Sequence, residues 1–380
     1  MTLGNDARTA AYIPALSPFS SPRVALVHYW LVSMRGGERV LERLLGLYPG
    51  ADIFTHVYDA KSVSSRIRQA QVKTSLVSRM PFSRRLYQYY LPMMPMALEE
   101  FDLGQYDLVI SSESGPAKGV VTQPGSLHVC YCHSPMRYLW DHYHVYKQAA
   151  NPIARLAMPT IYHWLRNWDV SSSARVDRFA ANSSFIQSRI AKVWRRDSEV
   201  ISPPVDTSLF TPSLEQDDYY LWVGQMVPYK RPDLAVDAFN ETGLPLVMVG
   251  TGGMIRKLRA RAKPNITFIE RMDFARLRRT YARARAFVMT AEEDFGITPV
   301  EAMASGRPVI AYGRGGVLDS VVPEQTGIFF GRQEVQSLVE AVGAMEHFLP
   351  HFDPRRAIDR ANLFAPEVFD RRMREFIAMD

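Results

Sequence analysis

Residues 285–312 read RAFVMTAEEDFGITPVEAMASGRPVIAY, and the fold is decided there. Ala286–Thr290 and Pro308–Tyr312 are short apolar runs without clear alternation, the pattern of parallel strands covered on both faces. Between them an acidic loop ends in Phe295-Gly296, and a helix is expected over about Ile297–Ala304, stopped by Gly306. Glu293 lies in the loop at the carboxyl end of a strand, where open α/β sheets hold their ligands. Glu301 lies on the following helix, whose first N–H groups, near Ile297 and Thr298, favour an anion. This set suits a phosphate flanked by hydroxyl-rich groups, as in a sugar nucleotide. Two solvated glutamates on a surface helix would give the same spacing, so the pair alone decides nothing.

Upstream, strands and helices alternate at a spacing that predicts a second doubly wound parallel sheet. Tyr219–Gly224, Leu244–Gly250 and Ile266–Ile269 read as strands, and Arg256–Ala262 and Leu277–Ala284 as helices. The turn after the first of these strands carries Gln225 and then Lys230-Arg231, with Lys230 placed to meet a phosphate or to sit solvated at a helix start. Val335–His347 and Pro366–Met379 complete the helices.

The N-terminal half begins a sheet of the same kind. Val24–Tyr29 reads as a buried strand, Gly36-Gly37 as the turn and Glu38–Leu47 as a helix. Without a full G-x-G-x-x-G the glycine pair is a weak nucleotide signal, and a plain tight βα turn explains it equally. Ala51–Tyr58, Gln71–Ser75, Tyr106–Ser111 and Leu127–Cys132 are further strands, and Leu156–Val170 a long aromatic helix. His133, at the tip of the Leu127–Cys132 strand beside Ser134-Pro135, is a candidate active-site residue; Arg137 either holds an acceptor phosphate or pairs with Asp141. Cys130-x-Cys132-His133 lacks a second ligand cluster, so no metal is expected and both cysteines read as buried apolar residues. Residues 79–98 (RMPFSRRLYQYYLPMMPMAL) mix arginines with aromatics and methionines. They fit the headgroup boundary of a membrane or a helix packed on the core with solvated arginines.

At 380 residues and 47% hydrophobic, the chain can bury two cores. The expected division is a disordered tail at 1–22, a first domain at 23–200, a linker at 201–218 rich in Pro, Ser and Asp, a second domain at 219–355 and a closing segment at 356–380. The tail reads as no signal peptide, and no run approaches the roughly 18 apolar residues of a membrane span. Two cysteines argue for a reducing compartment. Residues 1–200 hold 23 Lys and Arg against 15 Asp and Glu, and residues 201–380 hold 22 against 24. The basic half should face an anionic partner. No recognisable RNA motif accompanies it, so nucleic acid is not the expected partner.

The segment from Glu293 through Ile310, with Gly315-Gly316 and Thr326-Gly327 after it, resembles the E-x7-E signature of the family-four retaining glycosyltransferases. The resemblance extends from about Arg23 to Phe369. It implies the GT-B fold: two facing doubly wound Rossmann-like domains with a deep cleft between them, the first binding acceptor, the second binding nucleotide sugar, and the last helix returning to the first. It implies that Glu301 binds ribose hydroxyls, that Glu293 lies by the donor sugar, and that the backbone of Phe295, Gly296, Ile297 and Thr298 holds sugar or diphosphate. It places Gly36 and Gly37 beside the donor phosphate and the acceptor, Gly224, Gln225 and Lys230 at the diphosphate, with Arg231 joining them if it turns inward, Met272 in the loop bordering the base, and His133 by the transferred sugar and the acceptor. Gln225 stands where relatives carry arginine, which removes a bidentate phosphate clamp. His133, Glu293 and Lys230 are the expected catalytic residues, with no cofactor and no metal.

Tyr131–Tyr138 and Val227–Arg231 look most like bacterial mannosyltransferases of O-antigen and exopolysaccharide assembly. That likeness implies GDP-mannose as donor. The basic half and the Arg79–Leu98 stretch favour an anionic membrane surface, so the expected acceptor is a lipid-linked, polyprenyl-diphosphate saccharide and the expected place is the cytoplasmic, inner face of the membrane. An epimerase or a pyridoxal-dependent phosphorylase of the same fold, and a basic nucleic-acid-binding protein, are the rival readings.

Overall fold

The computed structural model describes residues 22–379, so the tail expected at 1–22 lies almost wholly outside the described residues. Thirteen strands among them form two sheets. The first comprises β1 (Val24–His28), β2 (Asp52–Thr55), β3 (Val72–Thr74), β4 (Leu108–Glu113), β5 (Leu127–Cys132), β6 (Arg178–Ala181) and β7 (Glu199–Val200). Its order is β3-β2-β1-β4-β5-β6-β7, and β1 to β5 pair in parallel. The second comprises β8 (Tyr220–Val223), β9 (Leu246–Val249), β10 (Ile266–Ile269), β11 (Phe287–Met289), β12 (Val309–Tyr312) and β13 (Gly327–Phe330). Its order is β10-β9-β8-β11-β12-β13, parallel throughout. Two doubly wound parallel sheets with flanking helices are the GT-B architecture expected from the resemblance.

The chain divides into two compact units. The described residues of the first are 22–180, Ile190–Glu199 and 373–379; the second holds Ala181–Arg189 and Val200–Arg372. Every residue of β1, β4, β5 and β12 is buried, because helices cover both faces and leave no polar side of the sheet. The helix Ile297–Ala304 starts at Gly296, whose φ of 88° suits glycine, and stops at Ser305-Gly306.

Residues 79–98 form no single helix. Leu76–Arg79 and Tyr87–Met93 are 3-10 turns, and Ser83–Leu86 and Met94–Glu99 are short α-helices. Pro92 lies inside the second turn and Pro95 opens the last helix, which prevents continuous α-helical hydrogen bonding. Both faces of the composition are used. Leu91, Met94, Ala97 and Leu98 enter the core of the first unit, while Phe82 is 78% and Tyr89 72% exposed. The long aromatic helix is longer than its periodicity suggests, Pro152–Ser172, because Asn151 caps it by accepting from Ala154 N at 2.8 Å. None of the helices among the described residues is long and apolar enough to cross a membrane.

Candidate functional site

The order of the second sheet reverses between β8 and β11, so the loops after those strands lie side by side at their carboxyl ends. The chain after β8 runs through Gly224 and the exposed Gln225 to Lys230. Thr290 joins this loop to the one after β11. Its hydroxyl donates to Lys230 O at 2.7 Å, its Oγ1 accepts from Trp222 Nε1 at 3.1 Å, and its carbonyl accepts from Gln333 Nε2 at 2.7 Å.

Lys230 Nζ then lies 2.9 Å from Glu293 Oε1. The approach is an ion pair by distance, and Glu293 Oε1 is buried without a hydrogen-bond partner. The acidic loop is held from its other side by Gly315-Gly316. Gly316 N donates to Glu293 O at 2.9 Å, and a Cβ on Gly316 would stand 2.2 Å from Asp294 O. Glycine is required by that approach. Arg189 and Ser183 also fix the loop, through Asp294 Oδ1 at 3.4 Å and Asp294 O at 2.5 Å.

No side chain caps the helix that begins at Ile297. Glu301 is only 8% exposed and accepts from the buried Tyr281 hydroxyl at 2.9 Å. Burial, and then Glu301 itself, push the Tyr281 phenol well above its ordinary pKa, so it stays a donor. The structure therefore brings Lys230, Glu293, the Gly296–Thr298 backbone and Glu301 to one end of one sheet. Three other expected residues have contacts of their own. Arg231, at a φ of 50°, sets its guanidinium against Asp233 at 3.2 Å and Gln333 O at 3.5 Å. The Phe295 ring is buried against Phe364, which leaves its backbone alone for a ligand. Met272 packs on the core and accepts from Thr280 Oγ1 at 3.4 Å.

In the first unit the order reverses between β1 and β4, and there His28 and Ser112 are register partners at the strand ends. Ser112 Oγ lies 3.0 Å from His28 Nδ1 and 2.8 Å from His133 Nε2. Gly37, at the start of the helix Gly36–Leu47, faces the same cluster. A Cβ there would stand 2.5 Å from Tyr29 Oη and 3.6 Å from both imidazoles. Burial holds His133 down to about 4, and burial together with His133 holds His28 well below the usual histidine value. Both rings are neutral at neutral pH. The buried Glu38 carboxylate accepts from Arg35 N at 2.9 Å and Ser33 Oγ at 3.3 Å, fixing the turn. Arg137 Nη1 lies 3.5 Å from His142 Nε2.

Three groups escape a reading of sequence alone. His28 ends a strand of apolar pattern, and only the sheet order sets it beside Ser112. Glu113 and Lys118 are fully buried with Asp169, far along the chain. Lys118 pairs with Asp169 and lies 4.0 Å from Glu113; Trp140 and Trp194 donate to Asp169 Oδ2 at 2.8 and 2.9 Å. Burial pushes the Glu113 carboxyl up to about 7, partly offset by Lys118. The third is Tyr281, twenty residues from the carboxylate it holds. Cys130 and Cys132 are both buried, and among the described residues no group of three His, Cys, Asp or Glu could hold a metal.

Two family models match consecutive parts of the chain: Glycosyltransferase Family 4 over residues 34–209 and Glycosyl transferases group 1 over residues 209–348. An O-antigen chain mannosyltransferase, RfbU, of Salmonella typhimurium is 31% identical over 137 residues, 33% of this chain and 39% of that protein. A GDP-mannose-dependent alpha-mannosyltransferase of Mycobacterium tuberculosis is 33% identical over 130 residues, 34% of this chain and 32% of that protein. The matches span less than half the length of such curated relatives. Among solved structures, Anabaena Alr3699/HepE in complex with UDP and glucose superposes with a TM-score of 0.68 at 16% identity, covering 95% of this chain and 100% of that one. That likeness bears on the fold.

Proposed function

The chain belongs to the family-four glycosyltransferases of the GT-B fold, and from that premise we propose that it moves a sugar from a nucleoside diphosphate sugar to an acceptor hydroxyl. The observation that carries the reading is the Lys230–Glu293 pair at the switch point of the second sheet. A buried carboxylate oxygen lacks a hydrogen-bond donor there, beside a cation and an uncapped helix start. A sugar hydroxyl supplies the missing donor, and a diphosphate answers the cation and the helix N–H groups. Glu301, one turn along, takes the ribose hydroxyls.

In the proposed reaction the donor bond to the diphosphate breaks as the acceptor oxygen attacks the same face, so configuration is retained. Lys230 and the N–H groups of Ile297 and Thr298 stabilise the charge that develops on the departing diphosphate, without a metal. Glu293 orients the sugar. It is a poor nucleophile with Lys230 at 2.9 Å. His133, with Gly36 and Gly37, handles the acceptor side of the chemistry in the first unit.

We take the donor as GDP-mannose and the acceptor as a polyprenyl-diphosphate-linked saccharide of bacterial polysaccharide assembly. The support is the similarity to the mannosyltransferases of Salmonella typhimurium and Mycobacterium tuberculosis, together with the likeness at Tyr131–Tyr138. Exposed Phe82, Tyr89 and Arg84 in residues 79–98 are the proposed contact with an anionic membrane surface.

The test is a thermal-shift panel of GDP, UDP, ADP and their sugars, because a ligand bound only by the folded chain raises its melting temperature. GDP and GDP-mannose should give the largest shift, Glu301→Ala should abolish it, and EDTA should leave it unchanged. His133→Ala should keep the shift and lose transfer. A larger response to UDP rejects the mannose donor; no response to any nucleotide rejects the whole reading.

A further inference from the structure

We propose that Ser112, itself held by His28, is a positioning residue that keeps the proton of His133 on Nδ1, so that His133 meets its ligand as a hydrogen-bond donor and not as a base. The assignment rests on the reading of His133 as a participant in transfer, but its evidence is separate.

Ser112 is buried, and its one hydroxyl lies within hydrogen-bond distance of two imidazole nitrogens. A hydroxyl has one proton, so it donates to one ring and accepts from the other. Two chains of donors satisfy this. In one, His133 Nε2–H donates to Ser112, and Ser112 donates to His28 Nδ1. His28 then carries its proton on Nε2, an atom sealed in the core with no hydrogen-bond partner. In the other, His28 Nδ1–H donates to Ser112, and Ser112 donates to His133 Nε2. His28 Nε2 is then left with a bare lone pair. A buried N–H with no acceptor is rarer in folded proteins than an acceptor short of a donor, so the second chain is favoured. Protonating either ring twice is opposed by burial, which keeps both neutral.

With Nε2 occupied by the Ser112 hydroxyl, the proton of His133 resides on Nδ1. That nitrogen makes no hydrogen bond to a described residue and is not sealed in the core, so it is the ring atom a ligand meets. A neutral imidazole presenting N–H donates to an oxygen; it has no lone pair there with which to abstract a proton. The neighbouring geometry holds the ring in place. Tyr131 packs edge-on at 5.1 Å, and His133 N donates to Glu113 O at 2.8 Å.

The experiment uses the full chain with 15N-labelled histidine and long-range 1H–15N correlation at pH 7.5. His133 is identified by the signals lost in His133→Gln. The expected pattern is a proton on Nδ1 in the wild type, a mixture of both tautomers in Ser112→Ala, and recovery in Ser112→Thr. Turnover should follow: Ser112→Ala lowers kcat by about tenfold, the size of one weakened hydrogen bond, with donor KM unchanged, and Ser112→Thr restores it. A wild-type proton on Nε2, or a tautomer indifferent to Ser112→Ala, overturns the proposal. A tautomer that shifts in Ser112→Ala without any change in kcat overturns its mechanistic half. If the wild type transfers nothing from GDP-mannose while the spectra behave as expected, the donor reading fails and the tautomer assignment stands.

Discussion

Tyr281→Phe removes one oxygen and nothing else from the second unit, and it isolates what holds Glu301. The Tyr281 hydroxyl donates to Glu301 Oε2 at 2.9 Å, and Glu301 is 8% exposed, so water cannot fully replace the lost donor. A hydrogen bond to a charged acceptor contributes about 1.5–3 kcal/mol. In a unit of roughly 150–250 residues each kcal/mol moves the melting temperature by about 2–4 °C, so a fall of about 3–12 °C is expected. The carboxylate also loses the contact that sets its angle, and GDP should bind about tenfold more weakly, equivalent to about 1.4 kcal/mol. Calorimetric titration with GDP and thermal melts of Tyr281→Phe, Glu301→Ala and the double variant check both numbers. The two single changes should not add: the double variant should lose about 1.5–3 kcal/mol less than their sum, because the second change removes a bond the first already broke. Additive effects, or unchanged GDP affinity in Tyr281→Phe, would refute the assignment of Glu301 to the ribose through Tyr281.

Lys230→Met should weaken GDP-mannose binding by roughly 10–100-fold, the loss of one charge-assisted phosphate contact, with a much smaller loss for mannose-free guanosine; equal losses for both ligands would place Lys230 away from the diphosphate. Gly37→Ala brings a methyl group to 2.5 Å from Tyr29 Oη, and the resulting overpacking should cost about 1–3 kcal/mol, read as a lower melting temperature. Glu113 supplies a pH signature. Its folded pKa of about 7 lies above the ordinary carboxyl value, so the folded chain holds the proton more tightly and stability from this group falls as pH rises from about 4.5 to 7. The buried histidines His56, His128 and His133 oppose it, since their lowered values weaken the fold as pH falls below 6.5. The signature is therefore read as a difference: Glu113→Gln should gain on the wild type by about 3 kcal/mol between pH 5 and pH 8, and a constant difference across that range would refute it.

How far the residues alone carry the reading depends on the range of the interaction. The strand–loop–helix–strand of residues 285–312 is local, and β11, the helix Ile297–Ala304 and β12 lie within a residue or two of the sequence expectation. The placement of Lys230 beside Glu293 is not local, but the rule that ligands gather at the carboxyl ends of parallel strands anticipates it once both loops are assigned to strand ends. What stayed hidden depends on strand order. His28 belongs with Ser112 only because β1 lies next to β4, and the sequence numbers do not show which strands are neighbours. Arg231 looked like a second phosphate cation from its place after Lys230. Its left-handed backbone sets the guanidinium against Asp233, a contact two residues away that composition does not reveal.

Charge teaches a further point about where an anion is held. The half with eight excess cations, residues 1–200, has at its switch point two neutral imidazoles and a serine hydroxyl. The half with two excess anions carries Lys230 and the uncapped helix start. Net charge acts over a Debye length and governs encounter, whereas a diphosphate is held by the few groups that touch it. On the proposed reading, charged recognition of the donor therefore falls to the acidic half, and uncharged hydrogen bonding, the kind that suits a hydroxyl acceptor, to the basic half. The surplus arginines and lysines of residues 1–200 are then left for a surface role. That is the stronger reason to look for their partner among anionic surfaces such as Phe82, Arg84 and Tyr89 would meet: binding to vesicles of anionic lipid should fall with salt in the wild type, and Arg84→Glu should weaken it without changing GDP affinity. Vesicle binding that ignores both salt and Arg84→Glu would break the link between the basic half and a membrane.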